Sequence, residues 1–241
     1  MAQNVPNFSF SENAIKVRQF LYEFWCANGA GPNLRDTHEA TGLSRRDIMQ
    51  AYRELDLGVM IVIDQDTESV NLLKCMPFSA FPSQVKLFIH GKFHSYLGCA
   101  MEAMAASKMP PFAGIEVRLE SYCSCCLAPV SVTMKDGALA AANPGSALIH
   151  VSLSPWYWNT TNVMKMCDSM NYMIDPSHAE RYERQSGRRG AVFTLQQAIN
   201  FVARGTSQRM WDPHRVPDFI RPEEVLDGFK MLGVDTSVWE R

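Results

Sequence analysis

The chain has 241 residues, 46% hydrophobic and 20% charged, ordinary proportions for a globular protein and enough for one large domain or two small ones. Its 23 Lys plus Arg against 25 Asp plus Glu give a formal charge of -2, so no global attraction draws it to nucleic acid or an anionic membrane. No apolar run approaches the roughly 20 residues that cross a bilayer, and MAQNVPNFSFSEN at the start lacks the pattern of an export signal, so a cytoplasmic location without a membrane partner is expected.

From Glu12 to Asn28 the apolar residues Ile15, Val17, Phe20, Leu21, Phe24 and Trp25 follow the helical repeat, and Gly29, Gly31 and Pro32 end the pattern. NLRDTHEATG predicts a short helix closed by Gly42, and Ser44 suits the N-cap of RRDIMQAYRELD, whose Ile48, Tyr52 and Leu55 share a face. VMIVIDQDTESVNLL predicts two strands around a polar turn at Asp64 to Glu68. The order is that of a winged helix-turn-helix domain over residues 1–76. Within residues 1–75, seven basic residues (Lys16, Arg18, Arg35, Arg45, Arg46, Arg53, Lys74) face ten acidic ones. DNA affinity rests largely on phosphate neutralisation, so this acidic unit disfavours nucleic acid and suits a packing or dimer-forming role.

After a junction at MPFSAFPSQ, with Pro77 and Pro82, VKLFIHGKFHSY predicts a hairpin turning at Gly91, and LGCAMEAMAASKM a short helix stopped by Pro110 and Pro111. GIEVRLESY, PVSVTMKDG and SALIHVSLS each alternate as strands do. TNVMKMCDSMNYMID fits a helix or a broken strand. The remainder is mostly helical: HAERYERQ, TLQQAINFVARGTSQRMW from a Thr194 N-cap, and PEEVLDGFKMLG with Pro222 in its first turn. The fold class expected is α+β.

Seven cysteines, an odd number, point to thiol or metal chemistry rather than a disulfide framework. The 14 methionines are read as core gap-fillers. On a helix, Cys99 and Glu102 at i and i+3 would share a face with their Cβ atoms about 5 to 6 Å apart. A thiolate there could hold a soft metal while the carboxyl group moves a proton, or the pair could be an inert buried thiol and a solvated acid. Cys123, Cys125 and Cys126 form a C-x-x-C-containing run that could touch a soft metal or simply make a tight turn, and the second C-x-x-C of a four-cysteine zinc site is missing. Cys167 stands alone in an apolar segment, and the six histidines, including His150 and His214, form no metal or triad motif. Neither His150 nor Asp168 acquires a role. Trp156, Tyr157 and Trp158 could roof an apolar pocket or pack at a strand end.

Taken in order, MPFSAFP, GKFHSYLGCAMEAM, the strand followed by CSCCLAPV, and KMCDSMNYM resemble the organomercurial (alkylmercury) lyase family over most of the chain. The resemblance implies a catalytic domain over residues 77–241, an antiparallel sheet with flanking helices, behind a winged-helix domain that serves packing. It implies Cys99 and Cys167 as the two mercury-binding thiolates and Glu102 as the proton-carrying carboxylate. The substrate would be an organomercurial, the products a hydrocarbon and a thiolate-bound mercuric ion passed to cytosolic thiols or a mercuric reductase. No cofactor is required, and the chain would act as a monomer or homodimer. Two departures stand out. Glu102 occupies a position where the family's usual residue is Asp, lengthening the arm by about 1.5 Å. The Cys123, Cys125 and Cys126 run replaces a single structural Cys and could hold adventitious copper or zinc. The competing readings are a metal-responsive winged-helix regulator and a non-catalytic thiol or soft-metal binding homologue.

Overall fold

The computed structural model describes residues 9–66, 70–160, 163–212 and 221–240. It opens with α1 (Glu12–Asn28), capped by the Ser11 side chain accepting from the Ala14 N–H and closed by Gly29 in the left-handed region at φ 71°. Gly29 is required there twice over, since a Cβ would also strike the His94 carbonyl. Next, α2 (Leu34–Thr41) carries a reciprocal capping box between Asn33 and Asp36, and α3 (Arg45–Leu57) begins at Ser44. The periodic faces are buried as expected, with Val17, Leu21 and Trp25 of α1 against Ile48, Tyr52 and Leu55 of α3 in one cluster. An antiparallel pair follows, β1 (Ile61–Ile63) and β2 (Leu72–Cys75). The polar turn expected between them is described as far as Asp66, and Glu68 lies outside the described residues.

The junction itself contains a two-residue strand, β3 (Phe78–Ser79), which pairs with β2 on one side and with β5 (Lys92–Leu97) on the other. β4 (Val85–Ile89) joins β5 through His90 and Gly91, at φ 50° and 74°, the double positive-φ pair of a tight two-residue hairpin. α4 (Ala100–Ala103) leads through short 3₁₀ turns to β6 (Glu116–Tyr122), β7 (Pro129–Lys135) and β8 (Ala138–Asn143). Among the described residues these make one eight-stranded antiparallel sheet in the order β1-β2-β3-β5-β4-β6-β7-β8. The strand β8, ALAAAN, was not expected. Its composition has low strand propensity, and the Asp136–Gly137 hairpin rather than its own pattern sets it on the sheet edge, where most of it is exposed.

The second sheet has β9 (Leu148–Val151) between β10 (Met170–Met173) and β11 (Ala191–Thr194). The ambiguous segment before β10 resolves into both alternatives, a helix α5 (Val163–Asp168), a break at Ser169 and then the strand. The Ser169 hydroxyl donates to the Met166 carbonyl at 2.7 Å, ending the helix. Three further helices are α6 (Pro176–Ser186), α7 (Leu195–Trp211) and α8 (Pro222–Met231). Thr194 is the last residue of β11 and caps α7, its hydroxyl accepting from the Gln197 N–H.

The fold is therefore α+β with antiparallel sheets and packed helices. One apolar core runs from Phe10 to Trp239, and a smaller one gathers Cys123, Leu148, Met173 and Ala179. In the larger core Trp25 of α1 stacks on Phe78 of β3 with ring centroids 5.7 Å apart, and His94 of β5 bonds the Cys26 carbonyl at 2.9 Å. No helix is long and apolar enough to cross a membrane among the described residues.

Candidate active site

β5 ends at Leu97, and after Gly98 the chain stays extended through Cys99 at φ -159°, ψ 173°. Cys99 is thus the N-cap of α4 rather than a residue within it, a correction to the shared helix face expected for Cys99 and Glu102. Proximity survives for a different reason. A cap side chain turns back over the first turn, so the Cys99 sulfur accepts from the Glu102 N–H at 3.4 Å.

Cys167, at the end of α5, reaches the same place through β10. The Gln84 amide, next to β4, donates to the Met170 carbonyl and the Asn171 Oδ1, at 3.2 and 3.1 Å, tying β10 to the large sheet. Met170 then places its sulfur 3.7 Å from Cys99 Sγ, while the Cys167 thiol donates toward Glu102 Oε2 at 3.6 Å. One ligand atom from each of Cys99, Glu102 and Cys167 lies within 4.8 Å of the others. Among the described residues no other group of three or more His, Cys, Asp or Glu side chains meets that spacing. All three residues are buried, Glu102 the least so at 8% exposure.

Burial pushes the Glu102 pKa up, opposed by Lys74 and by hydrogen bonds from Cys167 and Cys99. The Cys167 thiol is held well above its ordinary value, first by its hydrogen bond with Cys99 and then by burial and the Glu102 charge. These directions keep the Cys167 thiol protonated and raise the proton affinity of the carboxylate beside it. Gly98 makes room for that carboxylate: a Cβ there would stand 2.5 Å from Glu102 Oε2 and 3.5 Å from Lys74 Nζ. Gly98→Ala is accordingly expected to push the carboxylate aside by on the order of 1 Å, a displacement that costs about a hundredfold in the rate of any proton transfer the carboxylate carries. Normal turnover in the alanine variant would show that the bare face is not needed.

Lys74 is the site residue that sequence reasoning missed. It lies in β2, 2% exposed, with its ammonium 3.5 Å from the Gly98 carbonyl oxygen. Its one signal is a lysine inside the apolar stretch NLLKCM, at a strand position from which a charge cannot reach water.

The other candidates lie elsewhere. Cys123 is fully buried in the small core, Cys125 is partly exposed, and Cys126 is exposed. The run forms a tight turn between β6 and β7, with the Cys123 N–H donating to the Ala128 carbonyl and the Leu127 N–H to the Cys123 carbonyl, both at 2.8 Å. Cys123→Ser is expected to lower stability by about 1 to 3 kcal/mol by burying a hydroxyl among apolar groups, while changing the rate per folded molecule less than about twofold. Denaturant melts beside activity assays check this; a stable but inactive variant would refute it. Trp156, Tyr157 and Trp158 lie in a 3₁₀ helix (Pro155–Thr160) beyond the end of β9, where Trp158 packs edge-on against Phe229 of α8, Trp156 donates to the Trp239 carbonyl and Tyr157 is exposed. His150 pairs with Glu183 through Nε2 at 2.9 Å, the Asp168 carbonyl accepts from Asn171, and His214 lies outside the described residues.

A family model described as "MerB: Alkylmercury lyase" matches residues 78–206, just over half of the chain. Among solved structures, one titled "Crystal structure of the mercury-bound form of MerB2" is similar in fold, with a TM-score of 0.66 at 18% identity, covering 86% of this chain and 93% of that one. No curated protein matches the chain.

Proposed function

The chain belongs to the alkylmercury lyase family and is a carbon–mercury lyase, and from that premise we propose that it breaks R–Hg bonds by protonolysis with Cys99, Cys167 and Glu102. The observation that carries the proposal is the 4.8 Å grouping of two buried thiols and one buried carboxylate. Soft mercury prefers thiolate ligands, so R–Hg exchanges from a carrier thiol onto the Cys99 sulfur, and the carrier leaves with the Cys99 proton. Cys167 passes its proton to Glu102 across the 3.6 Å contact and adds to mercury as a second thiolate. Two sulfur donors raise electron density at the carbon bonded to mercury. The C–Hg bond then breaks with its electron pair on carbon, Glu102 returns the proton there, and RH departs. Mercury(II) stays on the two sulfurs until cytosolic thiols or a mercuric reductase remove it. No organic cofactor enters any step.

The proposal includes the frame of the molecule. Residues 1–76 act as a packing unit of winged-helix type, supported by three helices followed by the β1–β2 pair and by ten acidic residues against seven basic within 1–75. Residues 77–241 are the catalytic unit, in a cytoplasmic protein that works as a monomer or homodimer without nucleic acid.

The test is headspace analysis of benzene or methane after phenylmercury or methylmercury and excess thiol are added to the purified full chain, with Cys99→Ser as control. Release that disappears in the control is expected. Mercury that binds without hydrocarbon release would instead indicate a soft-metal binding homologue.

A further inference from the structure

Among the described residues Arg18 and Lys74 are the two buried Lys or Arg side chains, and only Lys74 faces the reacting groups. Arg18 packs over the Phe10 and Tyr22 rings, whereas Lys74 shares the bare side of Gly98 with the Glu102 carboxylate. We propose that Lys74, delivered by β2 of the N-terminal unit, is a positioning residue of carbon–mercury cleavage whose ammonium balances the one negative charge that travels between Glu102 and mercury. The inference rests on the roles given above to Cys99, Cys167 and Glu102.

Before the second sulfur adds, the negative charge is on the Glu102 carboxylate, and R–Hg–S is neutral. When the Cys167 proton moves to Glu102, the carboxyl becomes neutral and the complex of R–Hg with two thiolates carries the charge. When Glu102 gives the proton to carbon, RH and Hg(S)₂ are both neutral and the charge returns to the carboxylate. One negative charge is therefore buried at every stage, at two places a few ångströms apart. A fixed cation bordering both lets it move without solvent having to reorganise. Burial works to lower the Lys74 pKa, but Cys167, Glu102 and Cys99 outweigh it and hold the ammonium above its ordinary value.

Lys74→Met keeps the apolar stem and removes the charge. The test follows benzene release per phenylmercury bound, together with the melting temperature, for the full chain, Lys74→Met and Lys74→Arg. Lys74→Met is expected to take up one phenylmercury and release benzene about a hundredfold more slowly, the scale set by losing one preorganised charge-stabilising group. Its melting temperature is expected to fall, since the buried Glu102 carboxylate loses the cation beside it, and Lys74→Arg should recover most of both the rate and the melting temperature. If Lys74→Met does not fold, Lys74→Gln carries the comparison. A charge-free variant as fast as the parent overturns the inference, as does an arginine variant equally slow with both melting temperatures lowered, which marks a structural role. Should the parent bind phenylmercury without releasing benzene, the lyase reading fails by itself. Lys74 is then judged by retention of phenylmercury against a competing monothiol, expected to weaken at least about tenfold in Lys74→Met and not in Lys74→Arg; equal retention overturns it.

Discussion

Glu102→Gln is expected to bind one mercury per chain and to release hydrocarbon at least about a hundredfold more slowly than the parent. The amide keeps the shape that fits against Gly98 and removes both halves of the proton transfer, since it neither accepts from Cys167 nor donates to carbon. Glu102→Asp is a sharper probe. Its carboxyl would draw back by about 1.5 Å from a thiol that is already 3.6 Å away, so a fall of about tenfold to a hundredfold is expected unless α4 shifts to compensate. Equilibrium dialysis with mercury beside headspace analysis separates binding from cleavage. A glutamine variant with parental release would remove the proton-carrying role altogether.

Cys167→Ser is expected to stall after uptake, with turnover below about a thousandth of the parent. A serine hydroxyl is a poor ligand for soft mercury and does not give up its proton to a carboxylate. Cys99 still accepts R–Hg, so intact-mass analysis should find the adduct accumulating on the protein. Cys99→Ser should be as inactive, and the double variant no worse than either single one, because the two sulfurs act as a unit. Retention of a tenth of the activity in Cys167→Ser would leave Cys99 as the sole essential sulfur.

Helices that carry their own punctuation were legible in the sequence. Gly29 closes α1, Gly42 closes α2 and Ser44 opens α3, because caps are local chemistry, and the structure adds Ser11 and Asn33 as the N-caps of the first two. The two-residue hairpin at Gly91 was legible for the same reason. The strands β3, β8 and β11 were not, since each is short or weak in strand propensity and is held by its partner. At the site, Cys99, Glu102 and Cys167 could be named in advance, but their meeting depends on contacts 65 to 71 positions apart along the chain. The role of Cys99 as a cap was hidden because cysteine is not among the usual capping residues. Lys74 was hidden because a lysine in sequence reads as solvated surface until the strand around it is packed.

The pairing of β2 with β3 has a bearing on how the protein can be handled. A fragment starting at residue 77 would bare the hydrogen-bonding edge of β3, together with the face of Phe78 that Trp25 covers. An uncovered strand edge beside an apolar ring is a template for intermolecular pairing. Such a fragment should come out of cells as aggregate, whatever thiols it retains.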